Sequence, residues 1–448
     1  RVLGAENIGL FSYTYAVANY FVLFANLGIK NYGSRTIAMV RNNKEELNRN
    51  FSEILSIHII FSIIVIFVYL VLLFFFVEDN LVIFLIQSIY VFAAVFDINW
   101  FFFGIEKFKL TVGRNTLVKI LSVFLVLVFV KTQTDLWIYA LILALSVFVG
   151  QSVVWFALKQ YVSWRRPSWA NMKQHIRPLF VLFLPILALS LYKYMDKIML
   201  GSISSNVQVG FYENAEKIIN VPMSLIMAFG VVLMPRIANM VTSKDKGEVF
   251  KLIDMSMEAV MLLAIAISFG LAGISFVLAP IFFGYEFEEC GILIMGLAVT
   301  VPFMAFANVI RTQYLIPYKE DKIFVVSLFL GAAVNLIVNI ILIPYMAARG
   351  AVIGTIFAEI IVCIYQSYFV RKKIFIKKYL LNTIPPILIG IVMFVFVFQI
   401  GNVMNINIVT LILQLLVGMF IYAVGVFLLM LKSRTRLMVL LRKFVVRY

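Results

Sequence analysis

The sequence predicts an all-α polytopic membrane protein: two six-helix lobes related by a pseudo-two-fold axis along the membrane normal, followed by two extra C-terminal helices. Three observations carry that expectation. Of 448 residues, 63% are hydrophobic and 13% charged, against roughly a quarter charged in soluble globular chains. Apolar runs of about 20 residues, the length that crosses a bilayer as a helix, recur from end to end. The lysines and arginines behind the net charge of +16 fall mostly in short segments between those runs. Basic residues so placed record topology and not a nucleic-acid surface, so no nucleic-acid partner is expected.

Taken in order, the spans read as 9–29, 54–77, 81–104, 112–130, 136–158, 178–200, 207–235, 253–283, 288–316, 322–344, 350–370, 383–400 and 407–431. The chain opens directly on the loop-like RVLGAENIG, so one further helix is expected ahead of Arg1. The connections form two alternating sets. One holds a loop at 30–52, residues 105–111, WRRPSWANMKQHIR (164–177), 236–252, PYKEDK (317–322), RKKIFIKK (371–378) and the tail from Lys432. The other holds Arg1, Lys131 and Arg349. That asymmetry places the first set in the cytoplasm. The tail RTRLMVLLRKFVVRY is basic and amphipathic, as expected of a segment lying on the inner leaflet.

The chain also repeats itself. GLFSY (9–13) and RTIAMV (35–40) return as GFYEN (210–214) and RIANMV (236–241), with Gly9 matched to Gly210 and Arg35 to Arg236. FFFGIEKFK (101–109) returns as YLIPYKEDK (314–322), a register that pairs Ser146 with Glu359 and Ser122 with Asn335. With the preceding helix counted, each repeat holds six helices. An even number keeps both halves in one orientation, which calls for an axis along the membrane normal. The expected domains are an N-terminal lobe at 1–158, a basic cytoplasmic connector at 159–177, a C-terminal lobe at 178–372, and the two extra helices with the tail at 373–448.

A charge at bilayer depth costs about 2.5–3.5 kcal/mol on insertion scales, so it faces a partner or a watery cavity. In SLYKYMDKIMLG, Ser190, Lys193, Asp196 and Lys197 share one side of a helix. The next helix repeats the pattern with Glu213, Glu216, Lys217 and Asn220, and the first repeat answers with Ser12, Tyr15, Asn19 and Asn26. Such stripes in both halves predict a central polar cavity. The simpler reading pairs the three cations and three anions of the 190–217 hairpin with one another, while Lys197 snorkels outward. Asp196 is too short to follow it. Arg311 is a further cation at depth, and Asn335, Asn339, Thr355, Glu359 and Gln366 fit either a cavity wall or helix–helix hydrogen bonding. Arg35 and Arg236 sit at the cytoplasmic ends of equivalent helices, as anion contacts or ordinary positive-inside anchors. Pro185, Pro222 and Pro302 are hinge candidates. Cys290 and Cys363 lie in or beside different spans, so neither a disulfide nor a metal site is inferred. No G-x-x-x-x-G-K-[ST], H-E-x-x-H or G-x-S-x-G occurs, so no P-loop ATP hydrolysis, cofactor or catalytic residue is expected, and His58 reads as a packed residue.

RVLGAENIGLFSYTYAVANYFVLFANLGIKNYGSRTIAMVRNNKEEL resembles the opening of bacterial Wzx-type polysaccharide flippases. YMDKIMLGSISSNVQVGFYENAEKI resembles the start of that family's second half, and the likeness fades after about residue 380. The resemblance implies the multidrug/oligosaccharidyl-lipid/polysaccharide exporter fold, with two lobes around a cavity open alternately to each side. It implies a multi-pass protein of the bacterial inner membrane. Its substrate would be an undecaprenyl-diphosphate-linked oligosaccharide, carried outward for capsule or O-antigen assembly. Membrane lipids, a coupling proton or sodium ion and the polysaccharide polymerase are the implied partners. The stripes of Asn, Ser and Tyr suit a sugar and the cations suit a diphosphate, yet anions are as frequent as cations at depth, which weakens a simple positive trap. A cation-coupled drug antiporter of the same fold would use a deep carboxylate, for which Glu359 or Asp97 would serve. A lipid II flippase differs in substrate alone. A membrane-embedded polymerase would carry a large external loop, whereas the external connections here are a few residues long.

Overall fold

The computed structural model describes residues 1–242 and 246–432, all of whose regular structure is helical. The basic tail beyond 432, expected on the inner leaflet, lies outside the described residues. Twelve helices among those described are long and apolar enough to cross a membrane. One of these is two helices folded at Ala347, where φ is 48° and ψ is −127°. The chain is an all-α, multi-pass membrane protein.

The first compact unit runs from Val2 to Gly201. It contains α1 (Gly4–Asn26), α2 (Ile29–Val40), α3 (Lys44–Phe76), α4 (Leu81–Val95), α5 (Asn99–Gly104), α6 (Phe108–Phe129) and α7 (Leu136–Leu158). Nearly all of α8 (Trp169–Ile203) belongs here too. Leu27 and Gly28 both adopt positive φ and break α1 from α2. A side chain at Gly28 would meet the Leu179 carbonyl at 2.8 Å, so that turn needs glycine for both conformation and approach. α2 replaces the loop expected from residue 30. It is amphipathic, and a search for continuous apolar runs passes over such a helix. The Asn43 side chain accepts from the Glu45 and Glu46 amides at 3.1 and 3.3 Å and starts α3, with two acidic residues in its first turn favourable to the helix dipole.

The expected span 81–104 is interrupted at 96–98, where the Asp97 side chain accepts from the Asn99 amide at 3.0 Å and begins α5. The connector is not a free linker. Its Ser163 and Arg165 amides donate to Asn48 and Ser52 of α3, each at 2.9 Å, and residues 169–177 are the first turns of α8. The core near this end gathers Ile37, Phe51, Ile54, Trp100, Phe102 and Leu179. α6 is inside-out by the standard of a soluble protein. It buries Thr111 and Ser122 while exposing Leu117, Ile120, Leu121 and Phe124, as a helix bathed in lipid should.

The second unit holds Arg1 and residues from Ser202 onward. It comprises α9 (Asn206–Thr242), α10 (Lys246–Phe283), α11 (Cys290–Ala298), α12 (Thr300–Ile310), the folded α13 (Asp321–Val370), α14 (Ile376–Val403) and α15 (Ile408–Lys432). Pro302 falls in the first turn of α12, just after the break at Val299, where a missing amide costs little. Between α12 and α13, Arg311–Leu315 form a π-helical turn. At the fold of α13, a Cβ on Gly350 would lie 2.7 Å from the Leu342 carbonyl, so the two arms can turn this sharply because that side chain is absent. α14 and α15 pack on α10 through Ile274, Met393 and Val397, and the Gln414 amide donates to the Val397 carbonyl at 2.8 Å.

Candidate functional site

In the first unit the α1 stripe is turned partly on itself. Asn19 and Asn26 donate to the Tyr15 and Val22 carbonyls at 2.8 and 2.9 Å, leaving each side-chain oxygen for another donor. Around them stand tyrosines. Tyr15 meets Tyr90 edge-on at 5.1 Å, and Tyr20 meets Tyr194 of α8 at 6.0 Å. Aromatic faces beside amide oxygens form the kind of surface on which a sugar ring stacks and bonds.

On α8, Ser190 donates to the Leu187 carbonyl at 2.8 Å, and Lys193 is exposed with its ammonium 5.3 Å from the Tyr194 ring. Asp196 and Lys197 are 4% and 8% exposed. Lys197, free by sequence to snorkel outward, is enclosed by protein, and the charge of Asp196 acts on the Tyr20 hydroxyl. The C-terminal end of α8 comes so close to α1 that a Cβ on Gly201 would strike the Tyr13 ring at 2.3 Å.

Asp97 is half-buried and belongs to a network. Its Oδ1 accepts from the Asn99 side chain at 2.6 Å, and the same amide donates to Gln151 at 2.8 Å. Arg114 donates to the Asn99 oxygen at 3.1 Å and to the Gly150 carbonyl at 2.6 Å. His58 is fully enclosed.

At the basic end of this unit stands a trio that no local spacing announces. His175 of α8 is 2.9 Å from Glu53 through Nε2 and 2.6 Å from the Tyr32 hydroxyl through Nδ1. Because a carboxylate accepts, Nε2–H donates to Glu53. Both residues are almost wholly buried, at 3% and 1% exposure. A buried glutamate in the first polar turns of α3 was the available signal, but its partner lies 122 residues away. Arg35, exposed on α2, is close by.

In the second unit, Lys217 pairs with Glu213 one turn back on α9 at 3.1 Å, with Glu213 15% and Lys217 54% exposed. Glu216 is half-buried, and Asn220 and Arg236 are exposed. Arg311 begins the π-helical turn, lies 5.3 Å from the Phe324 ring and feels the charge of Glu359. Glu359 is 5% exposed. The polar residues of its hairpin are bound into pairs: Asn339 donates to Asn335 at 3.2 Å, Gln366 to Ser327 at 2.9 Å, and Tyr212 and Thr355 share a hydrogen bond at 2.9 Å. A Cβ on Gly354 would strike the Asn339 oxygen at 2.2 Å, so a glycine admits this amide between the two arms. The structure thus pairs Glu213 with Lys217, while Glu359 acts on Arg311 through its charge. Among the described residues no group of three His, Cys, Asp or Glu is placed to hold a metal ion.

Helices of this number and length, with apolar outer faces, define a multi-pass membrane protein. The chain belongs to the polysaccharide biosynthesis protein family, whose model matches residues 1–241. It is 24% identical over 381 residues to a putative O-antigen transporter of Shigella dysenteriae, covering 82% of this chain and 92% of that one. To a putative O-antigen transporter of Escherichia coli strain K12 it is 25% identical over 380 residues, covering 83% and 91%. The fold is similar to that of lipid II flippase MurJ in an inward closed conformation, with a TM-score of 0.73, 17% identity, and coverage of 96% and 95%.

Proposed function

We propose that this protein is a flippase that carries undecaprenyl-diphosphate-linked oligosaccharide repeat units from the inner to the outer leaflet of a bacterial inner membrane, by alternating access, for O-antigen or capsule-type assembly. The observation that carries this reading is the near end-to-end kinship with O-antigen transporters, over four-fifths of the chain. The chemistry along the helices agrees with it. The tyrosines and half-satisfied asparagines of α1 suit sugar hydroxyls and ring faces, and Arg35 and Arg236 suit the diphosphate. Export without a nucleotide site draws on an ion gradient or on consumption of the product outside, so Glu359, with Arg311 at hand, is the coupling candidate and Asp97 the alternative. Lys193, Asp196 and Lys197 in the first unit, and Glu213, Glu216, Lys217 and Asn220 in the second, are the further substrate-contact candidates of each. A polymerase acting on the delivered product is the natural partner.

Deleting the gene and characterising the lipid-linked oligosaccharide that accumulates on the inner face tests the reading. A complete repeat unit on its polyprenyl diphosphate, cleared by re-expression, is expected. Accumulation of a peptidoglycan precursor instead would convert the reading to lipid II flipping. No accumulating lipid, with altered drug resistance, would replace it by antiport.

A further inference from the structure

Within the second unit, α10, the α11–α12 pair, the second arm of α13 and α14 surround a groove of about 450 Å3. Met261, Phe269, Phe303, Phe306, Ile387 and Phe394 are among the apolar side chains of its wall. Two hydroxyls also reach it, those of Ser268 and Thr383. Each donates at 2.7 Å to a main-chain carbonyl, Ser268 to that of Ala298 and Thr383 to that of Tyr379. Their hydrogens are spent within the protein, so the wall keeps no hydroxyl proton for a polar ligand. The groove opens towards lipid where Val299, at the break between α11 and α12, is 45% exposed and Leu380 is 56% exposed.

Length and charge say what fits there. Along α14 the lining runs from Leu380 to Phe394, a rise of about 21 Å at the helical 1.5 Å per residue. One leaflet supplies about 15 Å of hydrocarbon, half of the core, so the groove begins near a membrane boundary and ends a little past the midplane. A single acyl chain has that reach, and a polyprenyl chain would overrun it. At the boundary stands Lys377, exposed and three residues ahead of Leu380, hence on the same face of α14. Lys378 is spent on Asp254 at 2.6 Å, whereas among the described residues Lys377 forms no ion pair. Arg371, Lys372 and Lys373, also exposed, precede it in the turn from α13. A basic rim over a dry slot calls for an anion joined to hydrocarbon. We propose that the groove holds one acyl chain of an anionic glycerophospholipid from the leaflet on the basic side, with Lys377 at its phosphate. The chain fills the seam between α14 and the rest of the unit, so the seating of α14 depends on that lipid. The site stands apart from the flippase reading, because this lipid is not cargo.

The test uses the full chain in nanodiscs of phosphatidylcholine, with a trace of phosphatidylglycerol carrying a diazirine in one acyl chain as the probe. After illumination the label is mapped by peptide mass spectrometry. The stretches 261–272 and 380–394 are expected to take at least tenfold more label than the lipid-facing residues of α6. Unlabelled phosphatidylglycerol should displace it, while the same amount of undecaprenyl phosphate or of further phosphatidylcholine should not. Ala272→Phe, which fills the groove, should lose the groove label at least tenfold and keep that on α6. Cys363→Phe fills the same space from α13 should the first variant fail to fold, and if both fail the wild-type map and displacement decide. Lys377→Gln should raise severalfold the amount of phosphatidylglycerol needed for displacement. Label no denser in the groove than on α6 leaves boundary lipid only and overturns the site, as does unchanged label in a folded, filled variant. Equal displacement by phosphatidylcholine, or unchanged displacement in Lys377→Gln, removes the anionic headgroup and overturns the proposal. Displacement by undecaprenyl phosphate makes the groove a substrate-tail site and overturns it too. Oligosaccharide transport is not scored, so each of these results leaves the flippase reading where it stood.

Discussion

At the scale of the residue, Asp196 separates a structural charge from an ornamental one. It is 4% exposed, on a helix that lines up with the tyrosines of α1. Burying an ionised carboxylate demands partners, and removing one member of a buried pair costs about 3–5 kcal/mol. Asp196→Asn should therefore insert in the membrane, melt at a lower temperature and transport at least tenfold more slowly, with Asp196→Glu recovering part of both. Wild-type melting and transport in Asp196→Asn would show that the charge is dispensable. Asp196 was legible because a charge in an apolar run is conspicuous. Glu53 and His175 were not, since each lies at a polar helix end where charges are ordinary, and their meaning comes from a contact across 122 residues.

Among the elements, α2 shows how a short amphipathic helix acquires a fixed position. A Cβ on Gly33 would lie 2.5 Å from the Trp100 ring of α5, and one on Gly104 would lie 2.6 Å from Ile37. Two glycines thus let α2 and α5 approach as closely as small residues allow. Trp100 is 2% exposed and stacks on Phe51 at 5.6 Å, so it has nowhere to retreat. Gly33→Ala should destabilise the protein by about 1–3 kcal/mol, the usual cost of an overpacked core, seen as a lower midpoint of thermal unfolding in detergent. Because Arg35 lies two residues on, polyprenyl diphosphate binding should fall in the folded fraction too. An unchanged midpoint would mean that α2 is held elsewhere. The spans of this fold were readable because hydrocarbon thickness imposes a length on apolar runs. The start of α8 and all of α2 were missed because they continue into or lie along the polar margin, where backbone hydrogen bonds persist but hydropathy falls silent.

For the whole molecule the question is what makes movement outward favourable. Glu359 is 5% exposed and electrostatically linked to Arg311 at a π-helical turn, a geometry frequent at functional sites. If ion uptake at this carboxylate shifts the balance between access states, a difference of a few kcal/mol is enough to move the population. Reconstituted Glu359→Gln should lose at least tenfold of the gradient-driven rate under an imposed proton or sodium gradient, while substrate binding is retained. A wild-type rate under both gradients would remove Glu359 from the coupling. Sequence located the residue through its polar neighbours on one helix face, yet its proximity to Arg311 depends on how α13 folds back, which spacing along the chain does not reveal.

The fold at Ala347 carries a consequence for how the protein is made. The arms of α13 leave no loop between them, and Gly350 lies against the Leu342 carbonyl. While the ribosome is still delivering residues after 350, the first arm is complete but its turn cannot close. The stretch is therefore expected to leave the insertion machinery as a pair, both arms entering lipid together, with Lys319 and Lys322 holding the N-terminal end of the first arm on the side of synthesis. Biogenesis of the second unit then waits on the second arm, and a substitution that lowers its hydrophobicity would strand the first.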